Sequence, residues 1–204
     1  MRLRRSDLVG YVADVAPRLL GARIVSTVAG ERVVVRVTEV EGYSGTGEDP
    51  ASHAHRGRTA RNAVMFGPPA HLYVYFTYGM HWCANVVCGP DGTGAGALLR
   101  AGEVVEGEAV AFARRPAARS AVELARGPAR LASCLGITGE LGGVDLLSPA
   151  SPVRLLGGDP VPEQRLRSGP RVGVRHGADT PWRFWIDGDP TVSQYRPAAP
   201  RPPR

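Results

Sequence analysis

The segment of residues 71–87 constrains the fold more than any other part of the sequence. It reads HLYVYFTYGMHWCANVV, in which Tyr78-Gly79-Met80 separates two stretches rich in aromatic and β-branched side chains. Such side chains are typical of strands, and a short turn containing glycine commonly joins two strands. The pattern therefore predicts an antiparallel hairpin formed by residues 73–77 and 81–87.

The tip of this predicted hairpin carries an unusually bulky residue, Tyr78. Packing across strands and in the core explains aromatic residues such as Phe76 and Trp82, whereas a hairpin tip normally faces solvent. An exposed ring on a stiff hairpin can act as a wedge between stacked bases. Enzymes that act on a base within DNA must open the stack in this way to flip the nucleotide.

A second strand pair is predicted from residues 24–28 and 31–41, joined through Ala29-Gly30. If the second strand runs straight, alternation places six side chains on one face: Val33, Val35, Val37, Glu39, Glu41 and Tyr43. Two carboxylates then extend an apolar row. Either the core ends at Val37 and both acids are hydrated, or one acid is partly buried. Burial would raise its pKa and make it a better general base.

The other local patterns are a short helix and a long loop. A helix is predicted over 14–20, with Asp14 as its cap and Gly21 at its end. Residues 44–70 carry repeated glycine and proline and read as a loop, which at this length is usually functional. The loop contains His53 and His55. Two histidines without further ligands make a weak metal site, so a histidine that hydrogen bonds to a ligand is favoured.

The length of 204 residues favours one large domain. We expect a basic arm at residues 1–5, a single domain at 6–196 and an unpacked proline-rich tail at 197–204. All 25 basic residues are arginine and the net charge is +6. Arginine suits phosphate, although the biased composition of a GC-rich genome explains the missing lysines better. Without lysine, no Schiff base can form on a lysine side chain.

Three cysteines without a Cys-x-x-Cys pair argue against a disulfide framework or a cysteine zinc site. No apolar run approaches the ~20 residues that cross a bilayer, and the first residues lack the apolar stretch of a secretory signal. We therefore expect a soluble protein in a reducing cytoplasm, with no membrane association.

Eleven short motifs, taken in their order along the chain, resemble the alkyladenine DNA glycosylases, also called 3-methyladenine or methylpurine DNA glycosylases. The motifs span almost the whole sequence: TEVEGY at 38–43, EDPASH at 48–53, RN at 61–62, MF at 65–66, LYVYFTYGM at 72–80, Asn85, LLRA at 98–101, GPARL at 127–131, LGI at 135–137, PWRF at 181–184 and VS at 192–193. The resemblance implies an α+β fold: a single mixed domain with a curved, largely antiparallel β-sheet and a protruding DNA-intercalating β-hairpin.

The resemblance also implies roles for individual residues. Glu41 would activate the water that attacks the flipped nucleotide, and Arg100 would help to hold that water and the adjacent phosphate. Intercalation into DNA would fall to Tyr78 and Met80 at the hairpin turn. Four residues would form the substrate-base pocket, with the last of them crowding the 2-amino group of guanine: Tyr43, His53, Tyr75 and Asn85.

The function implied is that of a monofunctional DNA glycosylase of base excision repair. It would flip damaged purines such as 3-methyladenine and 7-methylguanine out of double-stranded DNA and hydrolyse the N-glycosidic bond, leaving an abasic site. Hypoxanthine and ethenoadenine stay open as substrates. We expect no metal, no cofactor and a monomer that associates with the bacterial nucleoid. The alternatives are a non-catalytic protein of the same fold that binds damaged DNA, and an enzyme acting on a small glycoside without duplex.

Two further features leave their roles open. Arg126 and Arg130 flank Gly127-Pro128, and a Gly-Pro step that opens a helix suits phosphate binding. Glu39 is either structural or a support for Glu41.

Overall fold

The computed structural model describes residues 3–199, so Met1 and Arg2 of the expected arm and residues 200–204 of the expected tail lie outside the described residues. Within 3–199, eight strands are present: β1 (Arg23–Ser26), β2 (Val33–Tyr43), β3 (Leu72–Thr77), β4 (His81–Cys88), β5 (Ala95–Glu106), β6 (Val153–Leu156), β7 (Leu166–Gly169) and β8 (Arg183–Ile186). The same range holds four short α-helices: α1 (Val12–Val15), α2 (Glu108–Arg114), α3 (Ala121–Leu124) and α4 (Pro128–Leu135).

All strands belong to one antiparallel sheet, in the order β3-β4-β5-β2-β1-β6. β2 extends beyond the end of β1. This extension of β2 pairs with β8, and β8 pairs in turn with β7. The two longest strands, β2 and β5, run through the centre, and the sheet curls into a half-barrel. The predicted α+β fold with a curved, largely antiparallel sheet is confirmed.

The core lies on one face of the sheet, under the helices. It is built by aliphatic side chains of the central strands, such as Val35 and Leu99, against Leu131 and Leu135 of α4 and Leu19 near the N-terminus. α4 packs on β4 and β5 and ends at Gly136, whose positive φ of 68° suits glycine. A smaller cluster on the opposite face joins Tyr73 and Val87 to Ala54 and Met65 of the 44–70 loop.

The prediction that β2 presents one unbroken face is wrong. Val33, Val35 and Val37 lie in the core as expected, but the next core residue is Val40, because the pairing of β2 with β5 is irregular on both sides of Glu39. An irregularity of this kind shifts the alternation by one residue. Glu39 and Glu41 therefore lie on the face opposite the core. Both are nevertheless fully buried, so the alternative in which both acids are hydrated is wrong and the burial of an acid is confirmed.

The helix predicted over 14–20 is also corrected. It begins two residues earlier, so that Tyr11 occupies the N-cap position and Asp14 lies within the first turns. From Ala16 to Leu19 the chain continues as a 3₁₀ helix. Pro17 has no N–H to donate, which removes an α-helical hydrogen bond at this point. Gly21 follows with a positive φ of 81°, as its role at the helix end requires.

The connection between β1 and β2 is close to the prediction. β1 and β2 pair antiparallel, and a 3₁₀ turn of Val28–Gly30 joins them with Ala29 and Gly30 in the left-handed region. None of the helices in the described part of the chain is long and apolar enough to span a bilayer.

Candidate active site

Glu39 is a fully buried carboxylate at the centre of a polar cluster. Its Oε1 accepts hydrogen bonds from Nε of Arg183 at 2.6 Å, Nε of Arg100 at 2.9 Å and Oγ of Ser193 at 3.0 Å. Its Oε2 accepts the Ser193 N–H at 2.7 Å. Two guanidinium groups thus compensate the charge of Glu39, and Glu39 in turn fixes the orientation of Arg100.

Glu41 lies two residues further along β2 and accepts fewer hydrogen bonds than Glu39. The backbone N–H of Val172 donates to its Oε1 at 2.7 Å, and the Tyr43 hydroxyl donates to its Oε2 at 2.9 Å. Nε of Arg100 lies 3.5 Å from Oε1. Burial raises the pKa of Glu41 above its ordinary value, because the loss of water outweighs the charge of Arg100 and the two hydrogen bonds, all of which lower it. The Glu41 carboxylate is therefore a stronger base than an exposed one.

An aromatic cavity of about 330 Å³ opens beside this pair of acids. It is lined by all four predicted pocket residues and by others from the loop, from β3 and from the segment after β7: Tyr43, Pro50, Ala51, His53, Met65, Tyr73, Tyr75, Asn85 and residues 172–176. The rings of His53 and Tyr75 meet edge to face with centroids 4.6 Å apart. The volume and the ring surfaces of the cavity suit a planar base.

Two polar side chains of this cavity have defined orientations. Nδ1 of His53 lies 3.0 Å from the Tyr73 hydroxyl, which leaves Nε2 as the remaining polar atom of the ring. Burial, aided by the charge of Arg61, lowers the pKa of His53, so the imidazole is neutral at physiological pH. Nδ2 of Asn85 donates to the backbone carbonyl of Tyr73 at 3.2 Å, which leaves its Oδ1 available. The cavity thus offers oriented donors and acceptors, and Arg175 of the 172–176 segment adds a positive charge to its lining.

A second cavity, lined by arginines, borders the acid pair on the other side. Its lining includes Arg100, Arg126, Arg130 and Arg196, and it meets the start of α4 at Gly127. Val172 lines both this arginine-lined cavity and the aromatic cavity. Glu41 and Arg100 therefore lie between a site suited to a base and a surface suited to phosphate.

The β3–β4 pair ends at the Tyr78-Gly79-Met80 turn with its side chains in solvent. Tyr78 is 88% exposed and Met80 68% exposed. Tyr78 adopts a left-handed conformation with φ of 52°, which is uncommon for a residue with a bulky side chain. Nη2 of Arg61 donates to the backbone carbonyl of Phe76 at 3.1 Å and thereby ties the base of the turn to the 44–70 loop. The ring of Tyr78 is thus free to stack on another molecule.

Sequence patterns did not assign several residues that shape this site. Tyr73, Arg183 and Ser193 lie within matched motifs, but neither the pattern nor the resemblance gives them a role. Residues 172–176 have neither periodicity nor a motif, although His176 among them lines the aromatic cavity. No local signal in the sequence identifies this segment, because its position depends on contacts with β2, which is distant in the chain.

Among residues 3–199, no group of three or more His, Cys, Asp or Glu side chains could hold a metal ion. The three cysteines, Cys83, Cys88 and Cys134, are buried and free.

Comparison with known proteins gives one consistent result. The sequence model of the methylpurine-DNA glycosylase family matches residues 8–190. A protein of Streptomyces avermitilis is 56% identical over 201 residues, which cover 98% of this chain and 94% of that protein. A Nocardia farcinica protein is 54% identical over 97% of this chain and 92% of its own length. A Mycobacterium tuberculosis protein is 51% identical over 93% and 92%, and all three bear the name "Putative 3-methyladenine DNA glycosylase".

Proposed function

This chain belongs to the methylpurine-DNA glycosylase family and is a DNA glycosylase, and we propose that it removes alkylated purines, namely 3-methyladenine and 7-methylguanine, from double-stranded DNA. The observation that carries the proposal is the position of Glu41. Its buried carboxylate accepts hydrogen bonds from Tyr43 and Val172, two residues that line the aromatic cavity proposed to hold the purine.

The proposed reaction is a hydrolysis in which the protein binds the DNA, orients the flipped nucleotide and deprotonates the attacking water. Glu41 accepts a proton from a water molecule as the water oxygen forms a bond to the anomeric carbon. The glycosidic C–N bond breaks and its electron pair leaves with the base. Because an alkylated purine of this kind already carries positive charge, it departs as a neutral base and needs no protonation. The carboxylate also stabilises the positive charge that develops on the sugar, as in other glycoside hydrolysis.

Arg100 would hold the water and a neighbouring phosphate. Two observations support this role. Nε of Arg100 donates to Glu39 and lies near Glu41, and Arg100 also lines the arginine-lined cavity. The absence of lysine from the sequence excludes strand cleavage through a lysine Schiff base. The product is therefore an abasic site in an otherwise intact strand.

The proposed partner is duplex DNA, bound by a monomer in the bacterial cytoplasm. Tyr78 and Met80 would enter the stack and fill the space that the flipped nucleotide leaves, which their exposure supports. The base would then enter the aromatic cavity between Tyr43, His53 and Tyr75, with Asn85 opposing the 2-amino group of normal guanine.

The test is a panel of defined duplexes that carry 3-methyladenine, 7-methylguanine, hypoxanthine, ethenoadenine or undamaged purines. Wild-type protein should release the first two bases under single-turnover conditions. Glu41→Gln should bind the same duplexes but lose about 10²- to 10⁴-fold in rate, the range typical of a lost general base. Glu103→Gln, at an exposed ion pair with Arg36, is the matched control and should retain full activity.

Two outcomes would contradict the proposal. Wild-type protein that binds lesion duplexes but releases no base would indicate a non-catalytic binder. Release from nucleosides without duplex, unaffected by Tyr78→Ala, would indicate an enzyme for small glycosides.

A further inference from the structure

Arg171 is a fully buried charged residue that the reaction described above does not use. Its guanidinium lies between two rings, 4.7 Å from the Tyr43 centroid and 5.4 Å from that of Trp182. Nη1 and Nη2 form two parallel bonds to the Asp49 carboxylate, at 2.6 and 2.9 Å. Nη1 also donates to the Gly42 carbonyl at 2.9 Å. The side chain is thus held in one orientation by charge, by hydrogen bonds and by stacking.

The contacts of Arg171 join three parts of the aromatic cavity that are distant in sequence. Asp49 directly precedes Pro50, Ala51 and His53, which form one wall, and Arg171 directly precedes residues 172–176, which form another. Tyr43, on whose ring the guanidinium stacks, also lines the cavity. The ion pair of Arg171 and Asp49 therefore adjoins every part of the cavity lining except Met65 and the residues of β3 and β4.

The same contacts reach Glu41 through both of its hydrogen-bond donors. One donor is the hydroxyl of Tyr43, and the other is the backbone N–H of Val172, the residue that follows Arg171. Each donor therefore belongs to a residue that Arg171 contacts or adjoins. Arg171 itself makes no contact with Glu41 within the hydrogen-bond and ion-pair distances.

We propose that Arg171, held by Asp49, is a positioning residue that orients Glu41 and closes the walls of the base cavity on each other. The inference rests on the proposed function and deepens it. A buried ion pair adds little net stability compared with apolar residues of the same volume, so its effect here is on geometry. Arginine is required because the planar fork must pair with a carboxylate and stack on two rings at once, which an ammonium group cannot do.

The first test replaces Arg171 by lysine and Asp49 by asparagine, separately. The matched controls are Arg32→Lys and Glu106→Gln, which make the same chemical changes in an exposed ion pair outside the site, at 2.6 Å. Single-turnover release of 7-methylguanine is measured against duplex concentration and against pH. Arg171→Lys and Asp49→Asn should each lose about a hundredfold in rate at saturating duplex, as expected for a displaced catalytic group. Both controls should match wild type.

The pH profile distinguishes positioning from a purely structural role. The hydrogen bonds of Val172 and Tyr43 lower the pKa of Glu41, so their loss raises it further. At a given pH a smaller fraction of Glu41 is then ionised, and the acidic limb of the profile moves to higher pH. A variant that merely unfolds more readily would lose active protein but keep the wild-type midpoint.

A charge-free double variant, Arg171→Met with Asp49→Leu, covers the case in which a single variant fails to fold. It leaves no unpaired buried charge, so it should fold, and it should show the same loss of rate and the same shift of the acidic limb. A double variant, or an Arg171→Lys protein, with the wild-type rate and midpoint per folded molecule would overturn the inference. If wild-type protein released no base at all, the proposed function would fail instead, so the two failures are distinguishable.

Discussion

The two carboxylates of β2 differ in how much of their hydrogen-bonding capacity is in use. A carboxylate offers about four lone-pair sites. Glu39 accepts four hydrogen bonds, two of them from guanidinium groups, whereas Glu41 accepts two. Only Glu41 can therefore accept a hydrogen bond from a water molecule without losing a partner. This difference supports the proposed base role of Glu41 and favours a supporting role for Glu39.

The pH dependence of the reaction follows from the raised pKa of Glu41. The ionised form is the base, so the single-turnover rate on a cationic lesion should fall as the pH drops through that pKa, at a higher pH than for an ordinary glutamate. The rate should be measured on a 7-methylguanine duplex between about pH 4 and 9. The residual activity of Glu41→Gln should lack this limb. A limb that persists in Glu41→Gln would assign it to another group.

Glu39→Gln should be strongly destabilised, because it leaves Arg183 buried without its anion and Arg100 with only the more distant Glu41. Removing one partner of a buried pair typically costs about 3–5 kcal/mol. Urea unfolding measures the difference, with Glu106→Gln as the exposed counterpart, which should change stability by less than about 1 kcal/mol. Stability of Glu39→Gln close to that of wild type would show that the cluster tolerates the loss of this charge.

The sequence indicated individual residues of the candidate site but not the contacts between them. Tyr43, His53, Tyr75 and Asn85 all line the aromatic cavity, and their role in binding the base stays a prediction. The role of Glu39 could not be chosen from the sequence, since its partners Arg183 and Ser193 lie 144 and 154 residues away. Side-chain contacts over such separations depend on the complete fold, which a single sequence does not encode in any local pattern.

At the scale of strands, the irregular pairing of β2 with β5 decides where the acids lie. A straight strand would have placed Glu39 and Glu41 beyond Val37 in the core. Their charges would be buried there without partners, at a high cost in free energy. The shift at Glu39 turns them toward Arg100 and Arg183 instead. β3, by contrast, pairs with β4 without interruption, so its side chains alternate regularly between the two faces. The sequence carries no signature of the irregularity in β2.

The hairpin turn should contribute to activity without contributing to stability. Because the Tyr78 ring is almost fully exposed, Tyr78→Ala should leave the free energy of unfolding nearly unchanged. Loss of a stacking ring, at about 1–3 kcal/mol, should lower activity on duplex substrates roughly tenfold to a hundredfold. Tyr78→Phe keeps the ring and is the matched control, with activity near wild type. Equal activity of both variants on duplex and single-stranded substrates would exclude a wedge role.

At the scale of the whole molecule, two kinds of electrostatics operate in different places. The net charge of +6 and the proposed phosphate contacts of the arginine-lined cavity would act on DNA through solvent, where salt screens charges over about 8 Å. Glu41 and its partners are buried, where screening is weak.

The fold class was predicted, but mainly through the resemblance, since periodicity alone does not reveal curvature. The proximity of the two cavities was not predicted, because segments 126–130, 172–176 and 192–196 meet only in the folded chain.

The contrast between arginines in contact with solvent and a buried Glu41 predicts that salt affects DNA binding and the rate of base release differently. Between about 50 and 200 mM salt, affinity for duplex should fall steeply, by a logarithmic slope of about 0.9 for each phosphate contacted. Arg130→Gln should reduce that slope by about one. Arg18→Gln, at an exposed residue of the Ala16–Leu19 3₁₀ helix that lines neither cavity, removes the same charge and should leave the slope unchanged. At saturating duplex, the single-turnover rate should change less than about twofold over this range, because the buried acid is shielded from ions. A saturated rate that falls in parallel with affinity would mean that the reacting groups are exposed to solvent in the complex, contrary to the geometry of Glu41.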